Sequence, residues 1–223
     1  MTPTSSAPPT VLVTGFDPFG GHTLNPSGQL ALALDGTSVA GATIVGRRFA
    51  TAASTVAGEL SAALDEIAPD VLICLGLAPG RPAISLERIA VNVQDFPVPD
   101  NAGATPTDVP IEPGGPDGRF SRLPIRAILG RWQAEDVPGH ISDTAGTYLC
   151  NQLFYLACAA GERLRIPAGF IHIPDTPASA RFDRGPGATM AFETIRRGVE
   201  LAVEIVVGGT DAVPAPVGTG AIA

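Results

Sequence analysis

Residues 10–34 read "TVLVTGFDPFGGHTLNPSGQLALAL" and are the most informative segment for predicting the fold. Residues 10–16 are apolar and β-branched, as in a buried strand, and the run breaks at Gly15. After a glycine-rich loop, "NPSGQLALAL" predicts a helix with Pro26 in its first turn, where proline is favoured. A strand followed directly by a helix is the repeating unit of α/β folds.

The same order recurs along the chain. Further strand patterns are "GATIVGRRFA" (41–50), "DVLICLGL" (70–77), "AISLERIAVNV" (83–93) and "AGFIHIP" (168–174), and the segment "GHISDTA" (139–145) leads to the helix that contains Cys150. Helical patterns include "ASTVAGELSAALDEIA" (53–68) and a final helix around residues 190–207. We therefore predict a single-domain, three-layer α/β/α fold with an open, mostly parallel twisted sheet. In such sheets ligands bind at the carboxyl ends of the strands.

The composition excludes several classes of protein. A chain of 223 residues is long enough for one sizeable core. A net charge of −8 and Lys and Arg runs no longer than two argue against a nucleic-acid partner. The opening "MTPTSSAPPT" lacks the basic and apolar regions of a secretory signal, and no apolar stretch reaches membrane-spanning length. We therefore predict a cytoplasmic protein with no membrane partner.

Two kinds of segment fall outside the α/β pattern. Residues 1–9 and 208–223 are rich in small residues and proline, so we predict disordered tails around a domain at residues 10–207. Residues 97–119 form a long Pro, Gly and Asp-rich connection. Such a connection is either a functional loop or lid, or a mobile surface loop, and the sequence favours neither.

The stretch "SDTAGTYLCNQLFYLACA" (142–159) raises the question of whether Cys150 is a nucleophile. Unpaired cysteine is usually buried as a small hydrophobe, an interpretation that suits Cys74 in a strand and Cys158 within a helix. Cys150 differs because it falls in the first turns of a helix that should begin near residues 145–147. Helix N-termini favour the thiolate and lower its pKa. Three cysteines without zinc-finger spacing predict a reducing compartment and no disulfide framework.

A thiol nucleophile needs a base, and histidine has the suitable pKa. Of three histidines, His172 lies near the carboxyl end of a predicted strand. His22 lies in a glycine-rich loop and His140 just before a predicted strand, positions typical of solvated or structural histidines. From the residues alone, His172 would more often be a satisfied core imidazole than a base.

Four blocks of the sequence resemble the pyroglutamyl peptidase I family of cysteine peptidases, from Val11 to about Val207. The blocks occur in family order and at family spacing: "VLVTGFDPFGGHTLNPS", "GLAPGRPAISLERIAVNVQDFPVPDNAG", "SDTAGTYLCNQLFYLA" and "GFIHIPDTP". Four such matches together are a specific signal.

The resemblance implies a Cys-His-Glu triad. Cys150 corresponds to the nucleophile, His172 to the general base and acid, and Glu87 to the carboxylate that orients the imidazole. Read alone, Glu87 beside Arg88 would be an ordinary surface ion pair. The chemistry is that of the serine-protease triad with sulfur in place of oxygen, and it needs no metal or other cofactor.

The resemblance also implies a substrate, a peptide with an N-terminal pyroglutamate (5-oxoproline). The implied pocket comprises Phe16 and Phe19 against the lactam ring, Asn25 as a support, Leu77, Val98 and Tyr148. Without the resemblance, Asn25 is a helix cap and the two phenylalanines are core aromatics.

The chain departs from the family at three places. Leu77 stands where Gln is common, Pro97 replaces an arginine proposed to assist oxyanion stabilisation, and "HIPDTPASA" lacks the aromatic and Gln that usually follow the histidine. These changes leave the implied triad intact. They bear on catalytic efficiency and on the part of the site that would bind the leaving peptide.

Two other functions remain open at this level. One is a nucleoside phosphorylase-like enzyme, for which "GLAPGR" would be a phosphate loop. The other is a catalytically silent homologue that acts as a binding module. Homo-oligomers, dimers or tetramers, are frequent in the resembled family, and the sequence does not select one.

Overall fold

The alternating segments form a seven-stranded sheet covered by helices on both faces. The computed structural model describes residues 7–180 and 187–209. The strands are β1 (Thr10–Phe16), β2 (Ser38–Val39), β3 (Ala42–Phe49), β4 (Val71–Leu77), β5 (Ile84–Glu87), β6 (Ile89–Val91), β7 (Gly118–Phe120), β8 (Gly139–Ser142) and β9 (Ala168–Ile173). The helices are α1 (Pro26–Leu34), α2 (Val56–Ile67), α3 (Ile125–Ala134), α4 (Leu149–Leu164) and α5 (Phe192–Gly208).

The strand order of the large sheet is β2-β3-β1-β4-β9-β5-β8. The neighbours β3, β1, β4 and β9 are parallel, so their carboxyl ends meet at one edge. Strand β5 pairs antiparallel with β9 and parallel with β8, and β2 is an antiparallel edge strand on β3. The predicted three-layer α/β fold with a mostly parallel sheet is thereby confirmed.

Side chains alternate between the two faces of each strand, and each face has its own core. On β1, Val11 and Val13 pack toward α1, α3 and α5, whereas Leu12 packs toward α2 and α4. The second face also receives Phe170 of β9 and most of the apolar side of α4. Residues that project toward α4 from β4 and β9 are therefore the ones that can meet the Cys150 helix.

Helix α1 begins where the sequence predicts. The Asn25 side chain accepts a hydrogen bond from the Ser27 N–H, and Pro26 fills a position that lacks an acceptor for an N–H. Gly15 lets α1 approach the end of β1, because a Cβ there would lie 2.2 Å from the Ser27 carbonyl oxygen. The loop between β1 and α1 is consequently held against the sheet edge.

Three predicted boundaries are wrong. The segment "AISLERIAVNV" is two strands, because β5 joins the large sheet whereas β6 leaves it after Arg88 to pair with β7. His140 lies within β8 rather than before a strand. Helix α4 begins at Leu149 rather than near residues 145–147, because Gly146 has a left-handed φ of 75° and Tyr148 is extended.

The long connection at residues 97–119 is mostly exposed, but hydrogen bonds attach it to the rest of the fold, and β7 begins at its end. The Tyr148 hydroxyl donates to the Pro99 carbonyl, and the Tyr155 hydroxyl donates to the Pro116 carbonyl. The Asn101 side chain donates to the Pro18 carbonyl in the loop after β1. The connection therefore links α4 to the β1 edge, which supports its interpretation as a functional loop.

The predicted tails lie outside the described residues except for residues 7–9, 208 and 209. Within the described part, no helix combines the length and apolar character that a membrane crossing needs.

Candidate active site

A buried histidine and carboxylate are joined across two antiparallel strands. His172 Nδ1 lies 2.7 Å from Glu87 Oε1, and the His172 and Glu87 residues are 4% and 0% exposed. His172 is the register partner of Ser85, so Glu87 is its diagonal neighbour on the same face. The carboxylate holds the proton on Nδ1 and leaves Nε2 free to accept one.

The Cys150 side chain occupies the space on the sheet face that Gly76 leaves because it has no side chain. A Cβ on Gly76 would lie only 2.8 Å from Cys150 Sγ. Gly76 is the register partner of His172 in the parallel β4–β9 pair, and paired strands are about 4.8 Å apart. The sulfur therefore lies over the strand beside His172, whose ring packs edge-on against Phe170 with centroids 4.9 Å apart.

Arg81, which the sequence analysis did not identify as a site residue, completes the cluster. Its Nη1 donates to Glu87 Oε1 at 2.8 Å, so this oxygen accepts from Arg81 and His172 together. Its Nη2 donates to the Thr144 carbonyl in the segment that leads into α4. The "GLAPGR" motif placed Arg81 after a strand at the correct sheet edge, which was the available signal.

Burial and hydrogen bonds together set the protonation of Glu87 and His172. Burial raises the pKa of Glu87, but the hydrogen bond and charge of His172, with smaller effects of Ser142 and Arg81, hold it below its ordinary value. Burial lowers the pKa of His172, and its bond to Glu87 only partly reverses that effect. The carboxylate is therefore charged at neutral pH and the imidazole is neutral.

The pKa expected for Cys150 from its helix position is wrong. Burial raises its thiol pKa to about 12, and the Glu87 charge adds to this, whereas Arg81 and the backbone at the helix start lower it. Burial likewise raises the pKa values of Cys74 and Cys158 to about 12. Desolvation thus outweighs the helix dipole, and what distinguishes Cys150 from the other two cysteines is its position beside His172 and at a pocket.

Alkylation should reveal this state. At about neutral pH, we expect iodoacetamide to modify Cys150 before Cys74 and Cys158, because only Cys150 borders the pocket. We expect the rate constant for Cys150 to keep rising above about pH 9, because a buried thiol is still largely protonated there. Peptide mass mapping over a pH series measures both. A rate constant that levels off by about pH 7 would show that the thiolate is already formed.

A small apolar pocket lies next to Cys150. Its lining comprises Phe16, Phe19, Asn25, Thr51, Leu77, Tyr148, Leu149 and Cys150. Five of the six pocket residues implied by the resemblance thus come together with the cysteine. Val98 is not part of this lining, and it is 43% exposed in the adjacent connection. Thr51 and Leu149 were missed, although Thr51 follows β3 at the same sheet edge.

Aromatic rings close the outer side of the pocket. The centroid of the Tyr148 ring lies 4.5 Å from the centroid of the Phe96 ring and 5.9 Å from that of the Phe19 ring. The cavity measures about 10 Å³, which is room for about one water molecule. A five-membered ring can enter only if the pocket widens. Phe19, on one side of the pocket, is followed in the exposed loop by Gly20 and Gly21, which both have positive φ.

Polar side chains hold the inner side of the pocket. Asn25 Nδ2 donates to the Asp17 carbonyl, and Thr51 Oγ1 donates to the same oxygen. Asn25 is therefore both the cap of α1, as its sequence context predicts, and a buried support of the pocket, as the resemblance implies.

Asn151 fixes the start of the Cys150 helix. Its Oδ1 accepts from the Val91 N–H, and its Nδ2 donates to the Val91 and Val93 carbonyls. These three bonds attach α4 to the end of β6. The residue follows the cysteine directly in "YLCN", yet nothing in the sequence pattern assigns it this contact.

Cys150 is the second residue of α4, so its side chain lies at the helix N-terminus. An α-helix leaves the N–H groups of its first turn without intrahelical acceptors, and here Gln152 is the first to bond back, to Tyr148. The Tyr148 side chain does not cap the helix. The N–H groups around Cys150 can therefore receive negative charge. Within residues 7–180 and 187–209, no group of three or more His, Cys, Asp or Glu side chains could hold a metal ion.

The chain is similar to known proteins in both sequence and fold. The model of the pyroglutamyl peptidase family matches residues 9–208. A pyrrolidone-carboxylate peptidase of Bacillus cereus strain G9842 is 43% identical over 199 residues, which cover 88% of this chain and 92% of that protein. A pyrrolidone-carboxylate peptidase of Bacillus anthracis strain A0248 is 41% identical with the same coverage.

Solved structures show the same similarity. A pyrrolidone carboxyl peptidase of the hyperthermophile Pyrococcus furiosus superposes with a TM-score of 0.86 at 40% identity, covering 89% of this chain and 98% of that one. A mutant of the P. furiosus protein reaches a TM-score of 0.87 at 38% identity, covering 90% and 99% of the two chains.

Proposed function

Since the chain belongs to the pyroglutamyl peptidase family, we propose that it is a cysteine-type omega peptidase that removes N-terminal pyroglutamate from peptides. Cys150 is the nucleophile, His172 the general base and acid, and Glu87 the carboxylate that orients the imidazole. The observation that carries the proposal is the position of Cys150 Sγ over Gly76, beside His172 and at the mouth of an apolar pocket.

Acylation begins with both groups neutral. His172 Nε2 takes the thiol proton as Sγ attacks the pyroglutamyl carbonyl carbon, so no preformed ion pair is needed. The developing oxyanion is received by N–H groups at the start of α4. The imidazolium then protonates the leaving amine, and a pyroglutamyl thioester remains on Cys150. Glu87 stabilises the imidazolium throughout.

Deacylation reverses the roles. His172 deprotonates a water molecule that attacks the thioester carbonyl, and the proton returns to Sγ as free pyroglutamate leaves.

Pro97 lies exposed in the connection and offers no cation for the oxyanion. The backbone N–H groups of α4 must therefore supply most of this stabilisation in the present chain.

The pocket suits a neutral lactam. Phe16, Phe19 and Leu77 offer apolar surface to the ring, and an N-terminal ammonium would be desolvated there without a carboxylate among the lining residues. A lactam carries no such charge. Pyroglutamyl peptides are therefore preferred over peptides that begin with proline.

The phosphorylase-like alternative receives no support from the geometry. The guanidinium of Arg81, the cation of "GLAPGR", is engaged by Glu87 and the Thr144 carbonyl. The silent-homologue alternative is opposed by the retained Cys150, His172 and Glu87. We also propose a cytoplasmic location and a homo-oligomer, a dimer or tetramer, from the composition and the family.

Substrate specificity tests the proposed function. For matched pyroglutamyl and prolyl amides, we expect kcat/KM to differ by roughly 10⁴-fold, because the prolyl amine must be desolvated and lactam-binding groups are left unpaired. Phe16→Ala should lower both values with little change in their ratio, because it removes apolar contact common to the two rings. Release of a fluorescent amine measures all four values. Comparable wild-type values for the two substrates would defeat the proposal.

A further inference from the structure

We propose that Arg81 is a positioning residue that supplies the counter-charge for Glu87, so that His172 meets the Cys150 thiol as a neutral imidazole. The inference rests on the proposed function for its catalytic meaning. It assigns a role to a residue that the triad does not include.

The first observation is that Arg81 and His172 share one carboxylate oxygen. Glu87 Oε1 accepts from Arg81 Nη1 at 2.8 Å and from His172 Nδ1 at 2.7 Å. Glu87 is fully buried, whereas the Arg81 side chain is 31% exposed. A buried carboxylate needs a nearby positive charge. Arginine is charged at every working pH, so Arg81 can meet this need without protonating the histidine.

Without Arg81, a different group would have to balance the charge of the Glu87 carboxylate. The carboxylate of Glu87 would then have His172 as its remaining charged partner, and the pair would gain most by becoming an ion pair. A His172 imidazolium in the resting enzyme cannot accept the Cys150 proton. The guanidinium therefore adds to the effect of burial, which also favours the neutral imidazole, while the carboxylate still fixes the orientation of the ring.

The second observation is that Arg81 also bridges two segments of the site. Its second nitrogen donates to the Thr144 carbonyl, which lies in the loop between β8 and α4. The loop after β4, the end of β5 and the approach to Cys150 are thus joined through one side chain. Arg81 is not among the residues that line the substrate pocket.

The direction of the pH effect follows from the groups around the histidine. The charges that act on His172 are Glu87 from β5 and Arg81 from the loop after β4, and the same two act on the Cys150 thiol from α4. Burial has the largest effect on both groups, because it lowers the pKa of His172 and raises that of Cys150, and the Arg81 charge lowers both pKa values. Arg88 lies beside Glu87 in sequence but pairs with Asp143. Loss of the Arg81 charge should thus raise both pKa values.

The test compares Arg81→Gln with Arg81→Lys and with the matched control Arg88→Gln. In Arg81→Gln we expect the pH profile of kcat/KM for a pyroglutamyl amide to shift to higher pH by about 1 pH unit, with KM little changed. Arg81→Lys keeps the charge but not the two-pronged contact, so its profile should stay in place while kcat falls. Arg88→Gln should leave the profile unmoved.

A second measurement does not depend on turnover. NMR titration of the three histidine rings, with His172 assigned by its loss in His172→Gln, should show His172 titrating about 1 pH unit higher in Arg81→Gln than in the wild type. Arg81→Met provides the same comparison if the glutamine variant does not fold. An unmoved His172 titration in a folded neutral variant overturns the inference. Absence of wild-type hydrolysis would instead count against the proposed function, and the titration would still test Arg81.

Discussion

His172→Ala is expected to lower kcat/KM for a pyroglutamyl amide by roughly 10⁴-fold or more. The variant loses both the acceptor of the Cys150 proton and the donor to the leaving amine. Cys150→Ala should cost at least as much, because no thioester can form. Glu87→Gln keeps a hydrogen-bonding side chain at the same place, so an oriented but less basic imidazole should retain some activity.

The measurement that distinguishes a triad from three separate contributions is a double-mutant cycle. We expect the double variant His172→Ala/Glu87→Ala to be little worse than His172→Ala, because Glu87 acts through the imidazole. Steady-state kinetics on folded variants, checked by circular dichroism, provide the values. A double deficit equal to the sum of the single deficits in activation free energy would mean that Glu87 and His172 act independently.

Gly76→Ala is expected to lower kcat by roughly 10²-fold while the protein stays folded. The new methyl group would lie 2.8 Å from Cys150 Sγ and 2.6 Å from Phe170 Cζ, so both neighbours must move. Displacement of the sulfur from His172 should slow both the transfer of the thiol proton to the imidazole and the attack of Sγ on the substrate carbonyl carbon. Overpacking against Phe170 should also cost about 1–3 kcal/mol of unfolding free energy.

Two further variants separate the catalytic effect of this methyl group from its effect on stability. Gly58→Ala, in α2, adds a methyl group with nothing within 4 Å and should leave activity unchanged. Gly76→Ala combined with Phe170→Leu relieves the clash with the ring but not with the sulfur. We expect it to regain stability in urea denaturation without regaining activity. Full kcat in the Gly76→Ala protein would show that the sulfur does not need its present position.

The fold was predictable because its signals are local. Apolar strands such as "DVLICLGL" and the capped helix after Asn25 each carry their own periodicity or end signal. The family was predictable because four separate blocks matched it, and the later comparisons confirm that assignment. The start of α4 was less predictable, since the left-handed turn at Gly146 and the extended Tyr148 delay the helix.

The candidate site was predictable only in part. His172 could be selected because it lies near the carboxyl end of β9, and ligands bind at the carboxyl ends of parallel strands. Glu87 does not follow this rule, because β5 runs antiparallel to β9. In sequence Glu87 and Arg88 look like a surface pair, whereas in the fold Glu87 is buried with Arg81 and His172. The resemblance supplied Glu87. The only signal for Arg81 was its place in "GLAPGR" after the end of β4, and no sequence pattern indicated the space at Gly76.

The sequence by itself determined the α/β layers, the strand ends at which side chains collect and the cap of α1, because these depend on residues close together along the chain. Only the tertiary structure decided which charges face one another and how deeply they are buried. His172 and Glu87 are 85 positions apart, and the pKa of Cys150 is raised by burial although its place at a helix start predicts the opposite. Desolvation and long-range contacts arise only when distant segments pack, so no local pattern encodes them.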